Sequence, residues 1–189
     1  MANLFLGFTA LFFITALLNA DIWEDARYKQ FQAKFEESVK QQFPNGGGPR
    51  RASRHDAPGE QRWSFPTTML FDGSSLDLSA RGQRSLRAFA NVLRDTTQLW
   101  WRIRVEAHTR QPSRRPNHAD ERRAMELTAS RAVAVAMYLY LHCHIEPFRI
   151  VPSGRGYQDL IRTDMPTSAQ NDRVDILVLP RTVGAGKRT

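Results

Sequence analysis

Three short segments hold the polar residues whose types and order could support binding chemistry. They are residues 105–109 (Val-Glu-Ala-His-Thr), residues 126–132 (Glu-Leu-Thr-Ala-Ser-Arg-Ala) and residues 169–176 (Ala-Gln-Asn-Asp-Arg-Val-Asp-Ile). Guanidinium, hydroxyl and amide groups donate hydrogen bonds to carboxylates and carbonyls. The net charge of +8 favours an anionic partner, which could be a nucleic acid, lipid head groups or a wall polymer.

Catalytic and metal-binding motifs are missing from the sequence. It contains no Gly-x-Ser-x-Gly, His-Glu-x-x-His or phosphate-loop pattern. His142, Cys143 and His144 are adjacent, so their side chains point in different directions at a helix end, and no second ligand pair has a zinc spacing. We therefore predict no enzyme, no metal site and no cofactor.

The three segments resemble the peptidoglycan-binding domain shared by OmpA, Pal and the flagellar stator protein MotB. That family usually shows Gly-His-Thr-Asp at a strand end, Leu-Ser-x-x-Arg-Ala on a helix and Asn-Arg-Arg-Val-Glu opening a final strand. The resemblance covers roughly residues 65–179. Eighteen positions separate Thr109 from Leu127, and this long loop is most similar to the MotB branch.

The resemblance also implies a ligand and a set of binding residues. In this family the ligand is the stem peptide of peptidoglycan, held by its diaminopimelate. An Arg on the helix binds the carboxylate, and an Asp at the strand end takes the ammonium. Asn171 would fix the loop before the last strand, and Arg173 would brace the sheet by pairing with acids. The candidate residues are Arg131, Thr109, Arg110, His108, Asn171 and Arg173.

Several positions depart from the family pattern. Arg110 stands where the family has its ammonium-binding Asp, and Asp172 replaces the first Arg of Asn-Arg-Arg. Two cations, Arg110 and Arg131, would then line a site built for a zwitterion and repel the ligand ammonium. We therefore expect diaminopimelate recognition to be impaired, unless Asp120 in the long loop supplies the missing carboxylate.

The region before the domain divides into three parts. Residues 1–20 carry no charge and are long enough for a transmembrane anchor, with a signal peptide as the alternative. The pattern over residues 21–43 predicts an amphipathic helix. Four roles are open to it: packing on its own domain, lying on the membrane surface, forming a dimer or acting as a plug. Its apolar stripe comprises Tyr28, Phe31, Phe35, Val39 and Phe43. Residues 44–62, rich in Gly, Pro and Arg, predict a linker.

The pattern over 63–180 predicts an OmpA-like α/β domain, with a disordered tail over 181–189. The expected fold is a two-layer sandwich, β-α-β-α-β-β, with two helices on one face of a mixed sheet. Ser79 is the expected N-cap of the first helix. Trp101, Ile103, Val105 and Ala107 are expected on the buried side of the second strand. The predicted strands are 64–71, 99–108, 149–153 and 172–179, and the predicted helices are 80–95 and 121–142.

These observations predict a non-catalytic peptidoglycan-binding protein that tethers a motor or secretion-type assembly to the cell wall. It would sit in the bacterial inner membrane by a single pass, with its C-terminal domain in the periplasm. Expected partners are the stem peptide, the membrane, envelope-complex proteins and a second copy in a homodimer, but no nucleic acid. The alternative is a scaffold that has lost peptidoglycan binding and serves as a protein-interaction component of an envelope-spanning complex. Signal cleavage would instead leave a periplasmic or outer-membrane-associated protein.

Overall fold

One mixed sheet organises the computed structural model, which describes residues 28–44, 47–52, 60–73 and 75–181. Its strands lie in the order β1-β2-β5-β3-β4. Neighbouring strands are antiparallel except β3 and β4, which are parallel. The predicted α/β sandwich with a mixed sheet is therefore observed. The strands are β1 (Arg50–Ala52), β2 (Gln61–Pro66), β3 (Trp100–His108), β4 (Ile150–Gly154) and β5 (Arg173–Pro180).

The helices over 80–95 and 118–143 each begin after a residue whose side chain accepts a hydrogen bond from a backbone N–H of the first turn. Ser79 caps the 80–95 helix as predicted, since its hydroxyl accepts a hydrogen bond from Gly82 N. The long helix starts three residues earlier than expected, because Asn117 and Asp120 form a reciprocal capping box. The helices are α1 (28–42), α2 (Thr67–Leu70), α3 (Ala80–Asp95) and α4 (His118–Cys143), with 3-10 turns at Pro147–Arg149 and Ala169–Asn171.

The core lies between one face of the sheet and the helices. Side chains alternate along β5, so Val174, Ile176 and Val178 face the helix layer while Arg173 and Asp175 face the opposite side. Phe65 and Phe89 pack edge to face in this core, with ring centroids 5.4 Å apart.

Helix α1 belongs to the same core. Phe31, Phe35 and Val39 on its apolar stripe are buried. The Phe35 ring lies 5.8 Å from both the Trp63 and the Phe89 rings, measured between centroids. Of the roles considered for this helix, packing on its own domain is the one that the structure displays. It adds a third long helix to the two that were predicted for this layer.

The predicted linker contains regular structure. Within 44–62, Arg50–Ala52 form strand β1 at the sheet edge, and β2 begins at Gln61. Arg51 forms an ion pair with Glu36, which joins this edge to α1. Three residues at an edge need bury little apolar surface, so the composition gave no sign of the strand.

Two local predictions differ from the structure. The strand expected over 64–71 ends at Pro66, and Thr67–Leu70 form a helical turn. A register shift between Trp100 and Arg102 reverses the expected alternation at the start of β3. Trp100 is therefore fully buried, with its indole donating to Leu93 O at 2.8 Å, and Trp101 is exposed.

Several predictions concern residues outside the described ranges. The membrane anchor or signal peptide at 1–20, residues 21–27 of the predicted amphipathic helix, residues 45–46 and 53–59 of the linker and residues 182–189 of the tail all fall there. Within the described ranges, no helix combines the length and the apolar character that crossing a bilayer requires.

Candidate functional site

Strand alternation sorts the predicted site residues onto two sides of the sheet. Thr109 follows β3 and Asp172 precedes β5, and both continue the alternation of the helix-facing residues Ala107 and Val174. His108 and Arg173 are paired across the two strands on the opposite side. The six predicted residues therefore do not form one cluster.

Asp172 joins the two strand ends on the helix side. Its Oδ1 accepts hydrogen bonds from Thr109 Oγ1 at 3.0 Å and from Arg110 N at 2.8 Å. Its Oδ2 lies 3.2 Å from Arg110 Nε. Arg110 is half-exposed, whereas only 15% of the Asp172 side chain is exposed. A carboxylate thus lies beside Arg110, where the sequence had indicated two cations and no acid.

Arg131 extends from α4 toward the loop that follows α2. The residue is 5% exposed, and its guanidinium carbon lies 5.1 Å from the Phe71 ring centroid. Nη2 donates to Gly73 O at 3.3 Å, and the buried Nε has no hydrogen-bond partner in the described structure. Neither Glu126 nor Asp175 pairs with it: Glu126 faces Arg122, and Asp175 lies with Arg173.

The charge of Arg131 is opposed by burial and supported by Asp172. Burial lowers the pKa of Arg131, and the nearby Asp172 carboxylate partly offsets that change. A guanidinium has five N–H donors, so this one retains capacity for further acceptors. A buried donor without a partner costs free energy, and an incoming carboxylate would remove that cost.

A tight turn holds α4 against the strand ends. Gly156 N donates to Thr128 Oγ1 at 3.0 Å, and Thr109 N donates to Gly156 O at 2.8 Å. A Cβ atom at Gly154 would lie 2.5 Å from Ala129 N, so only glycine permits this approach of β4 to α4. The turn fixes α4, and with it Arg131, relative to Thr109.

Asn171 fixes the loop before β5, as expected. Its Oδ1 accepts from Arg162 N at 2.9 Å, and its Nδ2 donates to Met165 O and Pro166 O, both at 3.2 Å. Asn171 is fully buried. Its hydrogen bonds serve the loop, which positions the neighbouring Asp172.

A separate cluster of buried charged residues lies on the side of the sheet opposite the helices. Arg173 pairs with Asp175 at 3.0 Å and with Asp159 at 3.3 Å, as the bracing role predicts. Asp175 also accepts from Ser64 Oγ at 2.5 Å and from Arg62 Nη1 at 3.1 Å. These contacts place Arg173 in a structural network rather than beside Arg131.

His108 lies in that cluster. Its Nε2 atom is 3.4 Å from Asp175 Oδ2, and the imidazole is 1% exposed. Burial lowers the pKa of His108 below its ordinary value of 6.5, with Arg173 adding to the effect. Burial alone would raise the pKa of Asp175, but His108, Arg173 and the Ser64 hydroxyl together hold it well below its ordinary value.

The remaining candidates have local structural roles. The Asp120 carboxylate accepts from Asn117 N in the α4 cap and pairs with Arg123 at 2.6 Å. Cys143 is buried, and His144 ends α4 in a left-handed conformation. In the described part of the chain, no group of three or more His, Cys, Asp or Glu residues is placed to hold a metal ion.

Sequence reasoning missed three parts of the site: Asp172, Phe71 and Gly73. The sequence did carry a signal for Asp172. Positions 110 and 172 both depart from the family pattern, and the departures have opposite charge. Their compensation becomes visible once the two strand ends are adjacent. No comparable signal pointed to the Phe71 ring or the Gly73 carbonyl as neighbours of Arg131.

The chain matches a known protein family. The sequence model of the OmpA family matches residues 70–173, more than half of the 189 residues. The matched range includes β3, α4, β4 and the strand-end residues described above. No curated protein sequence matches the chain at a significant level.

Solved structures with similar folds include a MotB-like protein from Desulfovibrio vulgaris (21% identity, TM-score 0.59, 86% of this chain and 94% of that one). The periplasmic domain of Helicobacter pylori MotB is 18% identical, with a TM-score of 0.58, over 74% of this chain and 83% of that one. The cell wall anchor of the T6SS from Pseudomonas aeruginosa is 19% identical, with a TM-score of 0.57, over 79% and 96%. At these identities the likeness establishes the fold.

Proposed function

Because this chain belongs to the OmpA family, we propose that it is a non-catalytic envelope protein that binds peptidoglycan and tethers a motor or secretion-type assembly to the cell wall. Similar structures include a MotB periplasmic domain and a T6SS cell wall anchor, which motivates both kinds of assembly. We further propose a single-pass inner-membrane protein with a periplasmic domain that acts as a homodimer. Signal cleavage would instead leave it periplasmic or outer-membrane-associated.

One observation carries the binding proposal: the buried Arg131 guanidinium, which has an unpartnered Nε in the described structure and whose charge the Asp172 carboxylate supports. Arg131 keeps an unpaired Nε and one 3.3 Å hydrogen bond to a backbone carbonyl. A ligand carboxylate would form charge-assisted, bidentate hydrogen bonds with such a group. The stem peptide of peptidoglycan supplies carboxylates of this kind.

A second function is favoured because the Arg131 side chain is covered by neighbouring residues. Phe71 and Gly73 cover Arg131, so a ligand must displace this segment to reach the guanidinium. If that displacement does not occur, the domain would be a protein-interaction scaffold in an envelope-spanning complex. Wall binding therefore discriminates between the two functions.

The test is co-sedimentation of the full-length chain, in detergent, with purified sacculi. We expect the native protein to sediment and Arg131→Gln to lose most of that binding, about tenfold or more in affinity, because a charge-assisted pair is removed. The full chain is required because α1 contributes Phe31, Phe35 and Val39 to the core. Gln keeps a polar side chain where Ala would leave a cavity.

The matched control is Arg122→Gln, which removes an exposed guanidinium from the same helix. It should sediment like the native protein. Circular dichroism melting must show that both variants are folded. Failure of the native protein to sediment would exclude wall binding and favour the scaffold function.

A further inference from the structure

Arg110 and Asp172 form an ion pair in which Asp172 is held by several hydrogen bonds and the Arg110 side chain is half-exposed. The Asp172 main chain is fixed: its carbonyl accepts from Thr67 N at 3.1 Å and its N–H donates to Ala169 O at 3.1 Å. Its Oδ1 is fixed as well, by the Thr109 hydroxyl and the Arg110 N–H. The carboxylate therefore keeps its position regardless of where the Arg110 side chain lies.

The Arg110 side chain has no such constraint. Half of it is exposed, and its described contact is the 3.2 Å approach of Nε to Asp172 Oδ2. Exposed ion pairs of this kind are weak and easily exchanged. If the Arg110 side chain moves into solvent, Oδ2 becomes available while the rest of the Asp172 contacts remain.

The same residue is linked to the surroundings of Arg131 through α2. Thr67 N donates to the Asp172 carbonyl at 3.1 Å, and Phe71 N donates to Thr67 O at 2.8 Å. The Phe71 ring centroid lies 5.1 Å from the Arg131 guanidinium carbon, and the Asp172 carboxylate acts electrostatically on that guanidinium. An anionic oxygen and a buried cation that share one site form a dipolar receptor, which suits a ligand carrying both an ammonium and a carboxylate. With Arg110 in place, its guanidinium occupies the position beside Oδ2 that such an ammonium would take.

We propose that Asp172 receives the ammonium of a zwitterionic ligand, and that Arg110 is an internal substitute for that ammonium which the ligand must displace. This inference rests on the proposed function and names the group that sets its specificity. The site accepts an amino-acid group with a free ammonium and rejects one whose nitrogen is acylated. Arg110 is therefore a competitor of the ligand rather than a ligand contact.

The experiment compares two soluble muropeptides, one with a free diaminopimelate ammonium and one with that nitrogen acetylated, on full-length protein in detergent. Removing the competitor by Arg110→Gln should tighten binding of the free-ammonium peptide several-fold and leave the acetylated peptide unchanged. Asp172→Asn should weaken the free-ammonium peptide about tenfold, because a charge-assisted contact becomes neutral. Asn retains an Oδ1 acceptor for Thr109 and Arg110 N.

Two further variants serve as a control and as a second test. Arg114→Gln removes an exposed guanidinium from the same loop, and it should not change the preference between the peptides. The exchange Arg110→Asp with Asp172→Arg moves the acid to the other strand end. It should keep the preference for a free ammonium, and it replaces the Asp172→Asn variant if that one fails to fold.

The outcomes separate this inference from the proposed function. Weaker binding by Arg110→Gln, or equal binding of both peptides by the native protein, overturns the inference even if sacculi are bound. If native protein binds no sacculi but Arg110→Gln gains binding of the free-ammonium peptide, the inference stands and the proposed function fails. If neither protein binds, both fail.

Discussion

On the side of the sheet opposite the helices, the surroundings of single buried residues determine their pKa values. Burial opposes the charge of Asp175, yet its pKa is depressed because His108, Arg173 and Ser64 all contact its carboxylate. His108 lies against the same carboxylate, but burial favours its neutral form. Such a cluster stabilises the fold only while each group keeps its protonation state.

His108 should therefore make stability depend on pH between neutral and mildly acidic conditions. Its folded pKa is below the ordinary 6.5, so the unfolded chain binds the proton more readily. The stabilisation is present above pH 6.5 and is lost as the pH falls toward the folded pKa. We expect the free energy of unfolding, measured in urea, to fall between pH 7.5 and pH 5.0.

His108→Gln should reduce that fall, because the variant has no imidazole to protonate. Asp175 contributes over a separate, more acidic range, since its stabilisation is present above pH 3.8 and is lost as the pH falls from there toward its depressed folded pKa. The control is His142→Gln, which removes an exposed imidazole outside this cluster, at the end of α4. An unchanged profile in His108→Gln would contradict the assignment.

At the scale of elements, α1 lies outside the region that the OmpA family model matches. The OmpA match begins at residue 70, whereas α1 covers residues 28–42 and buries its apolar stripe against β2 and α3. Strand β1 extends the sheet on the same side, and the Glu36–Arg51 ion pair links the two. These additions make the described domain larger than the matched region.

Phe35→Ala should destabilise the whole domain, because the ring is fully buried against Trp63 and Phe89. Loss of a buried Phe costs about 3–5 kcal/mol of unfolding free energy. Urea denaturation followed by near-UV circular dichroism reports the packing of both tryptophan and phenylalanine. A single cooperative transition with a lower midpoint is expected.

Lys40→Ala, at an exposed position on the same helix, is the control and should change stability by less than about 0.5 kcal/mol. If Phe35→Ala changed stability no more than Lys40→Ala, α1 would not be part of the cooperative unit. A separate early transition for α1 would lead to the same conclusion.

For the whole molecule, the net charge of +8 sets a second, less specific attraction to anionic polymers. Exposed arginines such as Arg114 and Arg115 contribute to it, and salt screens them effectively. The Debye length falls from about 10 Å at 0.1 M salt to about 3 Å at 1 M. A contact made by the buried Arg131 is screened much less.

Sacculus binding should therefore separate into two components as salt increases. Binding of the native protein and of Arg131→Gln should both decline between 0.05 and 0.5 M NaCl, roughly in parallel, because both carry the exposed charge. The difference between them should persist at 0.5 M. Convergence of the two curves at high salt would show that Arg131 acts only through general charge.

The sequence by itself determined the family and the positions of the main helices and strands. Its motifs identified the family, and hydrophobic periodicity located α3, α4 and the strands β3, β4 and β5 to within a few residues. Ser79 was predictable as a cap because helix capping is a local interaction. Arg131 was identified on its helix for the same reason, since its motif is local.

Contacts between distant residues were decided only by the tertiary structure. Arg110 and Asp172 are 62 positions apart, and in the sequence each is a separate departure from the family pattern. The structure pairs them, because the ends of β3 and β5 lie side by side. The bulge that exchanges Trp100 for Trp101 and the burial of α1 likewise depend on neighbouring strands and helices. Local patterns report which face of an element is apolar, whereas pairing between elements decides which charges meet.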